Sequence, residues 1–474
     1  MASICTSNVT SGFIDLATFD EIEKYLYGGP DATAYFVRET RKSTWFTQVP
    51  VALSRASGSP AFNQEFAYSI SRAGDYLLHT WLRLQTPSVQ GTNAMGAGGV
   101  STTLRWTRNF MHNIIRECCI TFNDLVAARF DNYHLDFWAA FTVPAGKRNG
   151  YNNMIGTFPA MVQGATGPAG GAKPVLPSFT LNLPLPFFYS RDSGVALPTA
   201  ALPYNEMRVN FAFRDWSDLL IMSDNAVAGA EQREAIVPAR DLVTGVPPVL
   251  GHTQVWADYA IVSNDERKRM ACAPRDILIE QVQTAPRQAY TPGVAAQQSF
   301  DIRFSHAIKV LFFSVRNTTW RSEWSNYMTS SPVTAGALTN FTPVGSADPI
   351  LQTSLIYENT NRLAQMGSDY FALVNPYFHA PVIPLDTGYH MYSYSLDFIC
   401  LDPMGSTNYG KLTNVSIVPE ASVTAVAAAL GAALPGAGAA LPGADYPQLF
   451  EFIITAVNNN IIRVSGGALG FPVL

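Results

Sequence analysis

At 474 residues the chain exceeds one ordinary hydrophobic core, and two domains are expected. Charged residues are 14% and hydrophobic residues 47%, against the roughly 25% charge usual in soluble domains, so apolar surface must be hidden in cores, a membrane or other subunits. The net charge of −5 comes without a long basic run, which argues against a nucleic-acid partner, because phosphate binding needs a cationic footprint.

No apolar run approaches the roughly 20 residues of a membrane-spanning helix; Val310 to Val315 is strand-sized. Large cores and subunit interfaces remain. Met1 to Ser7 lacks the basic and apolar regions of a signal peptide. The five cysteines, Cys5, Cys118, Cys119, Cys272 and Cys400, are odd in number and sparse, which fits free thiols in a reducing compartment. Sequons at Asn8, Asn317, Asn340 and Asn414 read as chance matches, since glycosylation needs the secretory route.

Thr18-Phe19-Asp20-Glu21 has the form of a capping box, and Phe19, Ile22 and Leu26 follow at helical spacing until Gly28-Gly29-Pro30. A short amphipathic helix is expected before the first β-domain. From Ala34 to Asp215 short strands dominate. Trp45, Thr47 and Val49 alternate, as do Tyr76, Leu78, Thr80, Leu82 and Leu84. Thr92 to Thr103 is a loop and Asn113 to Phe122 a strand. Asp131 to Phe141 carries Tyr133, Phe137, Trp138 and Phe141 at helical spacing, and Gly164 to Pro177 is another loop. Leu181 to Leu220 is a proline-punctuated corner. Arg191-Asp192-Ser193-Gly194 is its turn, with Gly194 free to take positive φ, and Met207, Val209, Phe211 and Phe213 form the last long strand of the domain.

Asp224 to Gly251 is the expected link. The second half then repeats the first in outline. Lys309 to Val315 matches Leu78 to Leu84, and Leu355 to Phe378 matches Ile120 to Phe141. Glu420 to Pro447 is a long Ala/Gly/Pro loop, and Phe450 to Val464 reads as two strands around an Asn458-Asn459-Asn460 turn. Many short strands and Gly/Pro turns suggest an all-β sandwich or jelly roll.

Longer stretches carry a resemblance. Leu183-Pro184-Leu185-Pro186-Phe187-Phe188, Arg191-Asp192-Ser193-Gly194 and Leu202-Pro203-Tyr204-Asn205-Glu206 resemble the major capsid protein of iridoviruses, the invertebrate iridescent viruses above all. Ser11-Gly12-Phe13-Ile14-Asp15-Leu16, Tyr27-Gly28-Gly29, Gly405-Ser406-Thr407-Asn408-Tyr409-Gly410 and Asn460-Ile461-Ile462-Arg463 agree in the same order. The resemblance implies two consecutive eight-stranded jelly rolls. The expected division is an arm at 1–29, a first roll at 30–220, a linker at 221–250 and a second roll at 251–474. It further implies a homotrimeric capsomer tiling a virion shell, assembled in the host cytoplasm over an internal membrane. Neighbouring capsomers and minor capsid and penton proteins would be its partners.

No catalytic, cofactor or metal residue stands out. Seven histidines, His79, His112, His134, His252, His306, His379 and His390, show no zinc spacing. His134-Leu135-Asp136 is expected on a helix surface. A metal-dependent jelly-roll enzyme would need a clustered His/Glu set, which is absent. Gly167 to Lys173 resembles a phosphate loop only superficially, since Pro174 replaces the Ser or Thr that would hold magnesium. Asp265-Glu266-Arg267-Lys268-Arg269 is either a solvated turn or short helix, or a salt-bridged subunit contact. A glycan- or receptor-binding module is the alternative to a shell subunit.

Overall fold

The computed structural model describes residues 2–18, 20–22, 28, 36, 40, 42–91, 102–166, 174–224, 247–293, 297–319, 322–329, 347–431 and 447–471, with side chains from residue 9 onward except at 102, 166 and 222–224. The chain divides into two compact units, Met1–Trp45 and Phe46–Leu474. In the smaller unit, α1 spans Ala2–Ala17. The helix thus lies before the expected capping box. Thr18 closes it instead, its N–H and hydroxyl both donating to the Asp15 carbonyl. Asp20 to Ile22 form a turn, and residues 23–27 of the expected helix lie outside the described residues.

The larger unit is built from sixteen principal strands in two rolls. The first roll contains β1 (Phe46–Ala52), β2 (Glu65–Ser69), β3 (Tyr76–Gln85), β4 (Ile115–Phe122), β5 (Leu125–Phe130), β6 (Thr180–Pro184), β7 (Met207–Phe213) and β8 (Gly251–Val262). The second contains β9 (Arg275–Thr284), β10 (Phe300–Asp301), β11 (Ala307–Asn317), β12 (Ile350–Tyr357), β13 (Thr360–Gly367), β14 (His390–Ser393), β15 (Val415–Ala421) and β16 (Phe450–Ser465). The first roll pairs its strands in the orders β1-β8-β3-β6 and β2-β7-β4-β5, and the second in the orders β9-β16-β11-β14 and β10-β15-β12-β13. Adding eight to each label turns one roll into the other. This is the double jelly roll.

Alternation places the cores. Met207, Val209, Phe211 and Phe213 of β7 are buried with Ile120 and Phe122 of β4 and Leu82 and Leu84 of β3. In the second roll Leu311, Phe313 and Val315 of β11 face Phe452, Ile454 and Ala456 of β16. Cys118 is buried and Cys119 partly exposed, on opposite faces of β4, and both are free thiols, as are Cys272 and Cys400.

Several boundaries differ from the sequence reading. Leu220–Asp224, of which residues 221–224 are expected to begin the linker, pairs with Thr102–Trp106. Gly251–Val262, expected to open the second roll, sits between β1 and β3 in the first. Phe213 is therefore not the end of the last strand of that roll. Gly194 does not take positive φ, because Ser193–Val195 is a short 3₁₀ turn. Within Glu420 to Pro447, Val423–Leu430 is a helix, capped by the Ser422 hydroxyl and ended by Gly431 at φ 63°; residues 432–446 lie outside the described residues. Within the two expected loops, residues 92–101 and 167–173 also lie outside them, but Ala165–Thr166 and Val175–Leu176 are short strands. Phe450–Ser465 is one unbroken strand, held through Asn458 and Asn460 by β9.

Candidate functional site

The most elaborate arrangement of side chains lies at the seam between the rolls, built on α2 (Asn132–Thr142). Asp131 caps it, its carboxylate accepting from the His134 N–H at 3.0 Å. Tyr133, Phe137, Ala140 and Phe141 fall on one stripe. They pack on Val310 and Phe312 of β11, Met391 of β14 and Ile453 and Val457 of β16. Phe312 stacks on Phe137 at 5.9 Å and on Phe141 at 5.4 Å. Since alternate residues of β11 face the second roll's own core, Val310 to Val315 is buried on both faces, which is why it reads as a continuous apolar run.

Beside α2, the corner after β6 sends Arg191 into the second roll. Its guanidinium pairs with Glu280 at 2.8 Å and lies 3.7 Å over the Trp138 ring. Glu280 also receives Lys309 Nζ at 2.5 Å, and that ammonium donates to the Cys400 carbonyl at 2.8 Å. Burial pushes Arg191 below its usual pKa while Glu280 pulls it back up. His134, buried beside this group, has no hydrogen-bond partner on either ring nitrogen among the described residues. Burial, and secondarily Arg191, lower its pKa to about 3. It belongs to a helix as expected, but to the buried side.

A polar knot completes the seam. Asp136 accepts from Asn109 (3.2 Å), His112 Nδ1 (2.7 Å), Ser325 (2.8 Å) and Tyr327 (2.8 Å). His112 Nε2 accepts from the Tyr151 hydroxyl at 2.6 Å. Asp–His–hydroxyl order invites comparison with a nucleophile and its base. Here the hydroxyl is a phenol whose pKa is raised by burial and by Asp136, so it stays protonated, and both ring nitrogens are engaged. The knot therefore ties α2 to the segment after β11. A polar cavity of about 80 Å³ adjoins it, lined by Arg108, Arg148, Asp386 and Tyr389 among others. Nearby, Arg214 and Arg316 clasp Trp324 from 3.8 and 4.2 Å, and Arg105 pairs with Glu323 at 2.6 Å in the interior.

The other histidines are scattered. His390 is buried against Asp348 at 2.8 Å; His79 and His252 are exposed, and His306 and His379 partly so. Among the described residues no group of three or more His, Cys, Asp or Glu is arranged to hold a metal ion, and no helix is long and apolar enough to cross a membrane. The 265–269 charge run lies on the exposed α3 (Asn264–Cys272), where Arg267 reaches back to Asp75 of the first roll at 2.7 Å. Sequence reasoning missed the knot because Asn109, Asp136 and Tyr327 come from distant segments with no fixed spacing.

Known proteins share this architecture. A family described as large eukaryotic DNA virus major capsid protein matches residues 266–470, and one described as major capsid protein N-terminus matches residues 34–262. The major capsid protein of Costelytra zealandica iridescent virus is 66% identical, with all of both chains covered. That of Invertebrate iridescent virus 6 is 64% identical at the same coverage. The chain belongs to the major capsid protein family of the iridescent viruses. Solved structures add the fold at lower identity. The PBCV-1 virus capsid subunit superposes with TM-score 0.70 at 18% identity, covering 93% of this chain and all of that one. The Faustovirus major capsid protein gives 0.64 at 11%, covering 92% and 93%. The family's two matched regions meet at residues 262–266, where β8 ends and α3 begins.

Proposed function

We propose that the chain is the major structural subunit of a viral shell, and that three copies join their six rolls into one near-hexagonal capsomer. Full-length identity to iridescent virus major capsid proteins carries the structural role. The low charge, with 14% of residues charged, supports a chain that buries surface against its own copies. We place the division between the rolls at residues 263–274, the span that joins β8 to β9. The smaller unit, residues 1–45, acts as an arm in assembly. Capsomers contact one another and the minor capsid and penton proteins, above an internal membrane, and the shell assembles in the host cytoplasm. The chain works by burial and performs no catalysis. Sedimentation of the purified chain, followed by electron microscopy, tests this. A trimer three times the chain mass with six-lobed outline is expected, and a stable monomer at micromolar concentration would refute it, since obligate interfaces bury on the order of thousands of Å².

A further inference from the structure

The internal repeat makes one contact inside the chain and leaves its counterpart open. Phe312 of β11 lies between Thr455 of β16 and Met391 of β14. Trp81 holds the same place in the first roll, between Trp256 of β8 and Pro184 of β6. Both point away from their own roll's core. Phe312 is covered by α2, whereas Trp81 and Trp256 stack on each other at 6.3 Å and remain partly exposed.

The covering element is duplicated too. In each roll a helical segment follows the hairpin of corresponding strands, β4–β5 and β12–β13. Phe137 and Phe141, which cover Phe312, lie seven and eleven residues past the end of β5. Val374 and Phe378 lie the same distances past the end of β13. Phe371, Ala372 and Asn375 anchor this second segment in its own roll, while Val374, Tyr377 and Phe378 are 41%, 70% and 69% exposed. Those three residues form an i, i+3, i+4 stripe, the face a helix presents to a partner. Leu396, 71% exposed, extends it, held close by His379 Nδ1 against its carbonyl at 2.9 Å.

We infer that the Val374–Tyr377–Phe378 stripe of one copy seats on the Trp81–Trp256 pair of the next, repeating between copies the contact that α2 makes with Phe312 within the chain. The inference rests on the trimer reading and specifies its interface. The occupant is a second copy because the intrachain seam already shows this kind of plug fitting this kind of seat. Plug and seat are different patches, so the contact is heterologous and propagates head to tail until a ring closes. Trp81 and Trp256 supply broad aromatic faces of the kind that concentrate binding energy.

The full-length chain carrying Tyr377→Ser and Phe378→Ser tests this by sedimentation across a dilution series, with circular dichroism as the fold control. An unchanged spectrum with a trimer dissociating at about hundredfold or more higher concentration is expected, given the usual weight of central aromatics. A second measurement covers a folding failure: oxidation of a chain with Trp81→Cys and Phe378→Cys should yield covalent three-chain rings, and Phe378→Cys alone should not. A trimer as stable as the parent's after the serine substitutions, or a trimer in which the cysteines at 81 and 378 fail to link, would overturn the inference while leaving the trimer standing. A parent chain that stays monomeric would overturn both.

Discussion

Glu280 sets the charge balance of the seam. Among the described residues it is the single acid paired with both Arg191 and Lys309, and Lys309 is wholly buried. Glu280→Gln keeps the shape and removes the charge, leaving two interior cations without it. Breaking a buried pair from one side costs about 3–5 kcal/mol, so a large drop in unfolding midpoint is expected, and adding Lys309→Met should recover part of it. His134 governs a different response. Its folded pKa of about 3 lies below the ordinary value near 6.5, so between those limits the unfolded chain binds the proton more readily. Stability should therefore fall as pH drops below about 6.5, by at most about 1.4 kcal/mol per unit, and this contribution stops falling near 3. His134→Phe, which fits among Phe130 and Trp138, should flatten the melting temperature between about pH 4.5 and 6.5. A parallel pair of curves for parent and variant would discard this account.

The elements most legible in the sequence are those whose apolar residues recur at a fixed period. β3 and β7 show their periodicity because a core face alternates with a wetter one, and α2 shows it because an aromatic stripe alternates with buried polar residues such as His134 and Asp136. β16 was misread because its Asn triplet has turn composition. In place, Asn458 accepts from Gln283 at 3.0 Å and Asn460 donates to Gln281 at 2.9 Å, partners supplied by a strand far away in sequence. Asn458→Gly separates the alternatives. A turn would tolerate or gain from it, whereas a central strand should lose about 1 kcal/mol or more, read as a lowered midpoint. β8 was hidden behind Pro247 and Pro248, which suggested a link. The turns of the two hairpins were invisible as a repeat, though each puts two successive residues at positive φ: Asn123 and Asp124 at 47° and 64°, Glu358 and Asn359 at 46° and 64°. That is the geometry of a tight two-residue hairpin. In both rolls the first turn residue also grips the chain entering the next sheet strand, Asn123 through Glu206 and Glu358 through Asn414. α1 presents Val9, Phe13 and Leu16 on one exposed face. Deletion of residues 2–27 should remove only the helical signal of α1, leave the strand signal and the three-chain state intact, and reduce shell formation; an unfolded product would make the segment part of the fold.

At the scale of the molecule, stability comes from packed rolls and a seam, so chelator together with reductant should leave the melting transition unchanged, and a large loss would expose a metal or disulfide requirement. The connector between the rolls has a further effect. α3 follows β8 directly and is fastened to the first roll by Arg267 and Asp75. Its short span fixes the seam as a unimolecular event at an effective concentration on the order of millimolar. In a closed ring of the inferred kind, every second junction is therefore already formed when a chain arrives. The covalent join also removes permutations: two first rolls can never follow one another around such a ring. Alternation is enforced by connectivity, and the assembling system has to search for only half of its junctions.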